Sequence, residues 1–236
     1  MPNHYFQFKE FTINQDKCGM KVCTDACILG AYANAENARD ILDIGTGTGL
    51  LSLMLAQRHE AIITAVEIDG NAYLQASDNI NNSPWSKQIK PYHTNIQHFT
   101  NDSKEQFDFI ISNPPFYQNH LQSNTPSKNT AHHTTSLSQK DLLSCVDKLL
   151  TYKGEFVVLL PKIQSEQLEK IASDYQLFVA EKLLIRDRVA SENIKIITTY
   201  KRKKTNPITN ELIIKMDDGG YSAGFITLLK DYYLYL

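Results

Sequence analysis

The residues best placed to do chemistry are Asn113-Pro114-Pro115-Phe116, at the end of the run Phe107-Asp108-Phe109-Ile110-Ile111-Ser112. That run is apolar and β-favouring, and it reads as a buried parallel strand. It must stop at Asn113, because proline has no N–H for a ladder and two prolines in succession make a stiff extended corner. Asn113 therefore belongs at the carboxyl end of a strand, where open α/β sheets bind their ligands. Its side chain offers an acceptor oxygen and two donor hydrogens. The Pro114 carbonyl is a second acceptor, and Phe116 is a flat apolar face. Two acceptors beside a stacking ring suit an exocyclic amine on a planar group, such as N6 of adenine. Taken alone, the tetrapeptide reads equally well as a strand followed by a Pro-Pro turn, with Phe116 in the core.

A second constellation lies upstream. Asp40-Ile41-Leu42-Asp43-Ile44 reads as a strand, Gly45-Thr46-Gly47-Thr48-Gly49 as a turn, and Leu50 to about Arg58 as a helix. Glycines let the backbone adopt positive φ and pass close to a ligand. The helix start offers free N–H groups. The next apolar run, Ala61 to Val66, ends in Glu67-Ile68-Asp69. An acid about 20 residues beyond the glycines is placed to hold ribose hydroxyls. The spacing is G-x-G-x-G preceded by Asp43, not the dinucleotide G-x-G-x-x-G. A nicotinamide enzyme is the rival reading.

These residues need a scaffold, and the rest of the chain supplies one. Residues 5–14 alternate loosely and read as a short hairpin. Thr24, as N-cap, with Asp25 opens a helix through Tyr32. Gly70 to Asn82 is the next helix and Ile89–His93 a third strand. Asp141 to Leu150 is a helix, Gly154–Pro161 the fifth strand, and Gln164 to Asp174 a helix. Val179–Arg186 and Ile194–Tyr200 read as closing strands, with Ile213–Lys215 extending that edge. Ser222 caps a last helix to about Tyr233. Strand alternating with helix predicts an α/β, doubly wound, Rossmann-like fold with a mostly parallel seven-stranded sheet. One domain spans residues 1–236, with residues 1–38 as an N-terminal hairpin and helix extension. Residues 117–138 are polar and too long for an ordinary connection, so they are either a lid or disordered, and their place beside Asn113 favours a substrate lid that orders on binding.

Composition narrows the classes. The chain has 236 residues, 42% hydrophobic and 21% charged, with formal net charge −2. That balance argues against disorder and against a strongly basic nucleic-acid binder, so an RNA surface must be a local patch. No apolar run approaches the ~20 residues that span a membrane. Met1-Pro2-Asn3-His4-Tyr5 lacks a signal-peptide layout, and a cytoplasmic protein is expected. Cys18, Cys23, Cys27 and Cys145 have no paired C-x-x-C, and adjacent His132 and His133 share no face. Reduced thiols and no metal are expected. The one basic cluster is Lys201-Arg202-Lys203-Lys204, with Arg186 and Arg188 upstream. It is either a solvated turn or a phosphate contact.

The Asp43 and glycine pattern resembles class I S-adenosylmethionine methyltransferases. The resemblance implies that Asp43, Gly45, Gly47 and Gly49 line the cofactor and that Glu67, followed by Ile68, takes the ribose. It also implies that Asn95 and Ile96 contact the adenine ring, although many relatives carry Asp at the position of Asn95. Lys21, Thr24 and Asp25 would border the same pocket, as would Asn113. Four segments then follow in order: Cys18-Gly19-Met20-Lys21-Val22-Cys23-Thr24-Asp25, Asp43-Ile44-Gly45, Asn79-Ile80-Asn81-Asn82-Ser83-Pro84-Trp85 and Ile111 to Phe116. With Tyr221-Ser222 and Tyr232-Tyr233-Leu234-Tyr235, they resemble the bacterial methyltransferases that modify N6 of adenine 37 in a valine tRNA. The resemblance implies S-adenosylmethionine as cofactor, S-adenosylhomocysteine as product, a tRNA partner, no membrane and no metal; a monomer is favoured. Asn113, Pro114, Pro115 and Phe116 would be catalytic, and the basic residues Arg186, Arg188, Lys201, Arg202, Lys203 and Lys204 are the candidate RNA contacts. Phe116 stands where many amine methyltransferases have tyrosine, and Cys23 and Cys27 where small residues are usual. The alternatives are another planar amine (guanine N2 of ribosomal RNA, a protein glutamine, or adenine in DNA) or a non-catalytic scaffold that binds the cofactor or RNA.

Overall fold

The computed structural model describes residues 3–115, 137–192 and 194–236. Phe116 and nearly all of the proposed lid, residues 117–138, lie outside the described residues.

The chain opens with a hairpin, β1 (Tyr5–Gln7) and β2 (Thr12–Asn14), then α1 (Thr24–Tyr32). Alternation follows: β3 (Asp40–Ile44), α2 (Leu50–Ala56), β4 (Ile62–Glu67), α3 (Gly70–Asn81), β5 (Ile89–His93), α4 (Ile96–Asp102), β6 (Phe107–Ser112), α5 (Gln139–Leu149), β7 (Leu150–Pro161) and α6 (Lys162–Ala172). The chain closes with β8 (Phe178–Arg186), β9 (Ile194–Lys201), β10 (Ile208–Ile213) and α7 (Ala223–Leu229). The large sheet runs β10-β8-β9-β7-β6-β3-β4-β5. Only β9 opposes its neighbours; the other pairings are parallel.

The sheet has eight strands, one more than the seven expected. The segment 208–213, which carries little apolar alternation, pairs in parallel along the exposed edge of β8. Backbone ladder bonds, not side-chain pattern, make it a strand. Leu150, expected to end a helix, instead begins β7, because Leu150 pairs with Phe107 ahead of a register shift. The first helix begins at Thr24 itself; Cys23 is the N-cap position and gives no side-chain cap. Ser222 caps α7 as expected, accepting Phe225 N–H at 3.1 Å, but the helix ends at Leu229.

Strand period explains the core. Ile41, Ile63, Phe109, Ile111, Val157 and Ile197 face one side and pack under the hairpin, α1, α2, α3 and α7. Leu42, Ile44, Val66, Ile110, Phe156 and Val158 face the other side, under α4, α5 and α6. A sheet covered on both faces needs near-continuous apolar strands, as β3, β4 and β6 have. Asp43 breaks that pattern and is fully buried.

Candidate functional site

All the parallel strands end on one edge. In register, Ile44 pairs with Val66 and with Ser112, and Ser112 pairs with Val158. Along that edge the order is Glu67, the glycine turn, Asn113, then Pro161. Adjacent strands lie about 4.8 Å apart, so the turn after β3 and the corner after β6 start as immediate neighbours.

The glycine turn folds over the end of β4. Gly45 N–H and Thr46 N–H both donate to the Val66 carbonyl, at 2.9 and 3.1 Å. Gly45, Gly47 and Gly49 have φ of 72°, 60° and 83°. No atom lies within 4 Å of where a Cβ on Gly45 or Gly47 would stand, so the backbone there borders open space. Glu67 holds the turn: Oε2 accepts Gly47 N–H at 2.8 Å and Oε1 accepts Asp69 N–H at 2.9 Å. A carboxylate has about four acceptor sites, so two remain. Ile68 follows with half its surface exposed. Asp69 is engaged elsewhere, capping α3 through Ala72 N–H at 2.8 Å.

Asp43 lies beneath the turn. Its Oδ2 accepts from Thr46 Oγ1 at 2.6 Å and Ser52 Oγ at 2.7 Å, while its Oδ1 has no partner among the described residues. Burial lifts this carboxyl to about 6, against those two bonds. An orphaned buried carboxylate oxygen under a glycine turn is an acceptor that a positively charged or N–H-bearing ligand satisfies.

Asn113 follows β6 directly, as the prolines require. The residue is half-buried, and its Oδ1 is a buried acceptor with no hydrogen-bond partner among the described residues. A free acceptor of this kind costs about 1–3 kcal/mol and is kept where a ligand completes it. Pro114 is half-buried beside it and Pro115 is exposed.

The other expected residues divide. Lys21 is exposed in the loop before α1; Thr24 and Asp25 begin that helix and line a cavity beyond β7 rather than the glycine turn. Asn95 caps α4, its Oδ1 accepting His98 N–H at 2.7 Å, and Ile96 is buried in the core under that helix. Lys201 to Lys204 stand at the opposite edge of the sheet. Because β9 runs against β7, Lys201 pairs with Glu155, six residues or about 20 Å before Pro161. Arg202 is structural there, bonding Asp147 Oδ1 at 2.7 Å and the Asp147 carbonyl at 2.6 Å. Arg186 and Arg188 end on the site's edge; Arg186 is engaged by Glu211 and the Ser191 carbonyl, and Arg188 is exposed.

Three contributors were invisible as site residues in the sequence. Thr46 and Ser52 grip Asp43. Asn79 on α3 clamps the N-terminal hairpin to the glycine turn: its Oδ1 accepts Asn14 N–H, and its Nδ2 donates to the carbonyls of Asn14 and Thr48, each at 2.9 Å. Its place inside an Asn-rich motif was the available signal. Among the described residues, no group of three or more His, Cys, Asp or Glu could hold a metal, and no helix is long and apolar enough to cross a membrane. All four cysteines are free.

Comparison with known proteins agrees with this architecture. The model for the methyltransferase small domain matches residues 26–160. The chain is 41% identical to the tRNA1(Val) (adenine(37)-N6)-methyltransferase of Dyadobacter fermentans over 98% of both chains. By fold it resembles Agrobacterium tumefaciens Atu636, described as a predicted O-methyltransferase, with a TM-score of 0.65 over 90% of this chain and 98% of that one, at 18% identity. It also resembles M. jannaschii TYW2, solved with AdoMet, with a TM-score of 0.54 over 84% of this chain and 86% of that one, at 14% identity. Those two likenesses carry the α/β fold alone. Glycine turn, acid and Asn-Pro-Pro corner on one edge, with full-length identity to curated relatives, lead to one assignment: the chain belongs to the methyltransferase small-domain family and, within it, to the tRNA1(Val) (adenine(37)-N6)-methyltransferases.

Proposed function

We propose that this protein transfers a methyl group from S-adenosylmethionine to N6 of adenine 37 in the anticodon loop of a valine tRNA, in the cytoplasm. The observation that carries the reading is the unpartnered Oδ1 of Asn113, one strand from the glycine turn. The residues present suit the cofactor. Asp43, Gly45, Gly47, Gly49 and Glu67 would hold it, Glu67 through its remaining acceptor sites on the ribose and Ile68 by apolar contact. When bound, S-adenosylmethionine supplies an activated sulfonium methyl and leaves as S-adenosylhomocysteine.

The chain's own task is to present the nucleophile. The adenine amine is weak because its lone pair is spread into the ring. Asn113 Oδ1 and the Pro114 carbonyl, by accepting its two hydrogens, favour a pyramidal nitrogen whose lone pair points at the methyl. The target base must leave its stack to arrive there. Positioning supplies most of the rate, since a held pair of reactants avoids the entropy of meeting. The methylated amine would be cationic, and its proton would pass to water.

The test is labelled S-adenosylmethionine with unmodified total tRNA, followed by nucleoside mass spectrometry and mapping. Label on N6 of adenine 37 in a valine tRNA is expected. Label only on guanine N2 or on protein glutamine would replace this substrate with another planar amine.

A further inference from the structure

A cavity of about 720 Å³ opens on the same edge, beyond Asn113 and away from the glycine turn. Its floor is the ends of β7 and β8 and the start of β9, with Pro161 opposite Lys195 in register. The strand carrying Asn113 pairs with β7, so the cavity begins at the end of the neighbouring strand. The reaction proposed above does not use it.

Three features of the lining act together. Tyr221 is 41% exposed, and its ring is stacked on the buried Phe225 ring, with centroids 4.6 Å apart and planes 24° apart. The ring is thus supported from behind and pre-set as a platform. Tyr221 is also held in place by its backbone: it forms an antiparallel bridge with Lys215, across a turn closed by Met216 N–H to Gly220 O at 2.8 Å. Residues opposed in such a bridge project to the same side, and both Lys215 and Tyr221 line the cavity. Lys215 makes no ion pair among the described residues. Across the cavity stand the start of α1, which has no side-chain cap, and the Asp25–Lys195 ion pair, which offers both an acceptor and a donor.

A supported aromatic face, an unpaired cation and a polar pair are the parts that bind one unstacked nucleotide: stacking for the base, charge for the phosphate, hydrogen bonds for the base edge. Stacking is indifferent to sequence, whereas the ion pair is directional and can discriminate.

We infer that this cavity takes a second nucleotide of the strand that carries the methylated base. Tyr221 stacks its base, Lys215 and the start of α1 meet its phosphate, and Asp25 with Lys195 reads its edge. The inference rests on the reading that the substrate is RNA, and it adds a specificity pocket separate from the site of transfer.

The test uses fluorescence anisotropy with the full chain, S-adenosylhomocysteine and an anticodon stem-loop RNA carrying the target adenine. A companion set carries an abasic residue at each loop position in turn. Tyr221→Ala should weaken RNA binding about tenfold, in line with one lost base–aromatic stack, while affinity for S-adenosylhomocysteine is unchanged. Tyr221→Phe should bind as the wild type does. One abasic position near the target should cost the wild type that same factor and cost Tyr221→Ala almost nothing. Lys215→Gln should lower both affinity and the salt dependence of binding. Equal abasic profiles for the wild type and Tyr221→Ala, with RNA bound, overturn the pocket. RNA bound with the abasic coupling intact but no methyl placed on N6 overturns the transfer reading and leaves the pocket supported. Failure of the wild type to bind RNA overturns both.

Discussion

Ser112 Oγ donates to the Ile44 carbonyl at 2.9 Å, in the buried interior. One bond thereby joins the last residue of the strand that delivers Asn113 to the last residue of the strand that delivers the glycine turn. The two halves of the proposed site cannot drift apart without breaking it. Ser112→Ala should cost about 1 kcal/mol of stability, the usual net value of such a bond. Turnover should fall further than that loss of folded protein explains. Denaturant melts beside initial rates decide the point, and a rate that tracks folded fraction alone would dismiss the coupling.

Asn113→Ala should leave cofactor affinity within about twofold and lower turnover by about 100-fold or more, as for removal of one aimed polar group at a reacting centre. Calorimetric titration with S-adenosylmethionine and a methyl-transfer assay on tRNA separate the two effects. Near-normal turnover would remove the acceptor role of the amide.

Glu67→Gln keeps the size but gives up one acceptor oxygen that now holds Gly47 N–H or Asp69 N–H. Cofactor affinity should fall about tenfold or more, with a change of at most about 1 kcal/mol in stability. Gly47→Ala should act likewise, because a Cβ there strains a backbone at φ 60° and enters the open cradle. Unchanged affinity in both variants would move the cofactor away from this turn.

Asp43 makes stability depend on pH. Burial raises its carboxyl from the ordinary carboxylate value to about 6 in the folded protein. Between pH 4 and pH 6 the folded state therefore holds more protons than the unfolded state, and stability falls as pH rises. The contribution is full below pH 4 and lost above pH 6. Asp43→Asn should flatten this fall, by an amount on the order of 2–3 kcal/mol for a two-unit shift. Urea melts of both proteins at pH 4 and pH 7 measure it. An identical difference at the two values would show that Asp43 is not the titrating group.

The basic cluster should split. Lys203→Ala with Lys204→Ala should leave tRNA affinity unchanged, because both stand on the edge remote from Asn113. Arg202→Ala should instead cost about 1–3 kcal/mol, since it leaves Asp147 and nearby carbonyls without their donor. Filter binding and thermal melting test the pair; a tenfold loss of tRNA affinity in the lysine double variant would restore the cluster as a contact surface.

The sequence by itself determined the alternation of central strands and helices, and with it the fold class, though not the short helix α4 or the edge strand β10. Continuous apolar runs demand a sheet covered on both faces, and two adjacent prolines end a strand at Asn113 whatever surrounds it. The glycine turn was legible for the same local reason: positive φ at three spaced positions needs residues without Cβ. What the tertiary structure decided is what depends on neighbours distant in the chain. Lys201 to Lys204 read as a basic cluster in the sequence, and only the reversal of β9 decides that they stand at the edge away from Asn113. That the Asn95 oxygen caps α4 depends likewise on where the chain turns after β5. Thr46, Ser52 and Asn79 are ordinary in type, and only the packing of α2, α3 and the hairpin puts them around Asp43 and the turn. The β10 segment shows the limit most plainly: a strand held by backbone bonds to an edge needs no side-chain pattern, and so it leaves none to read.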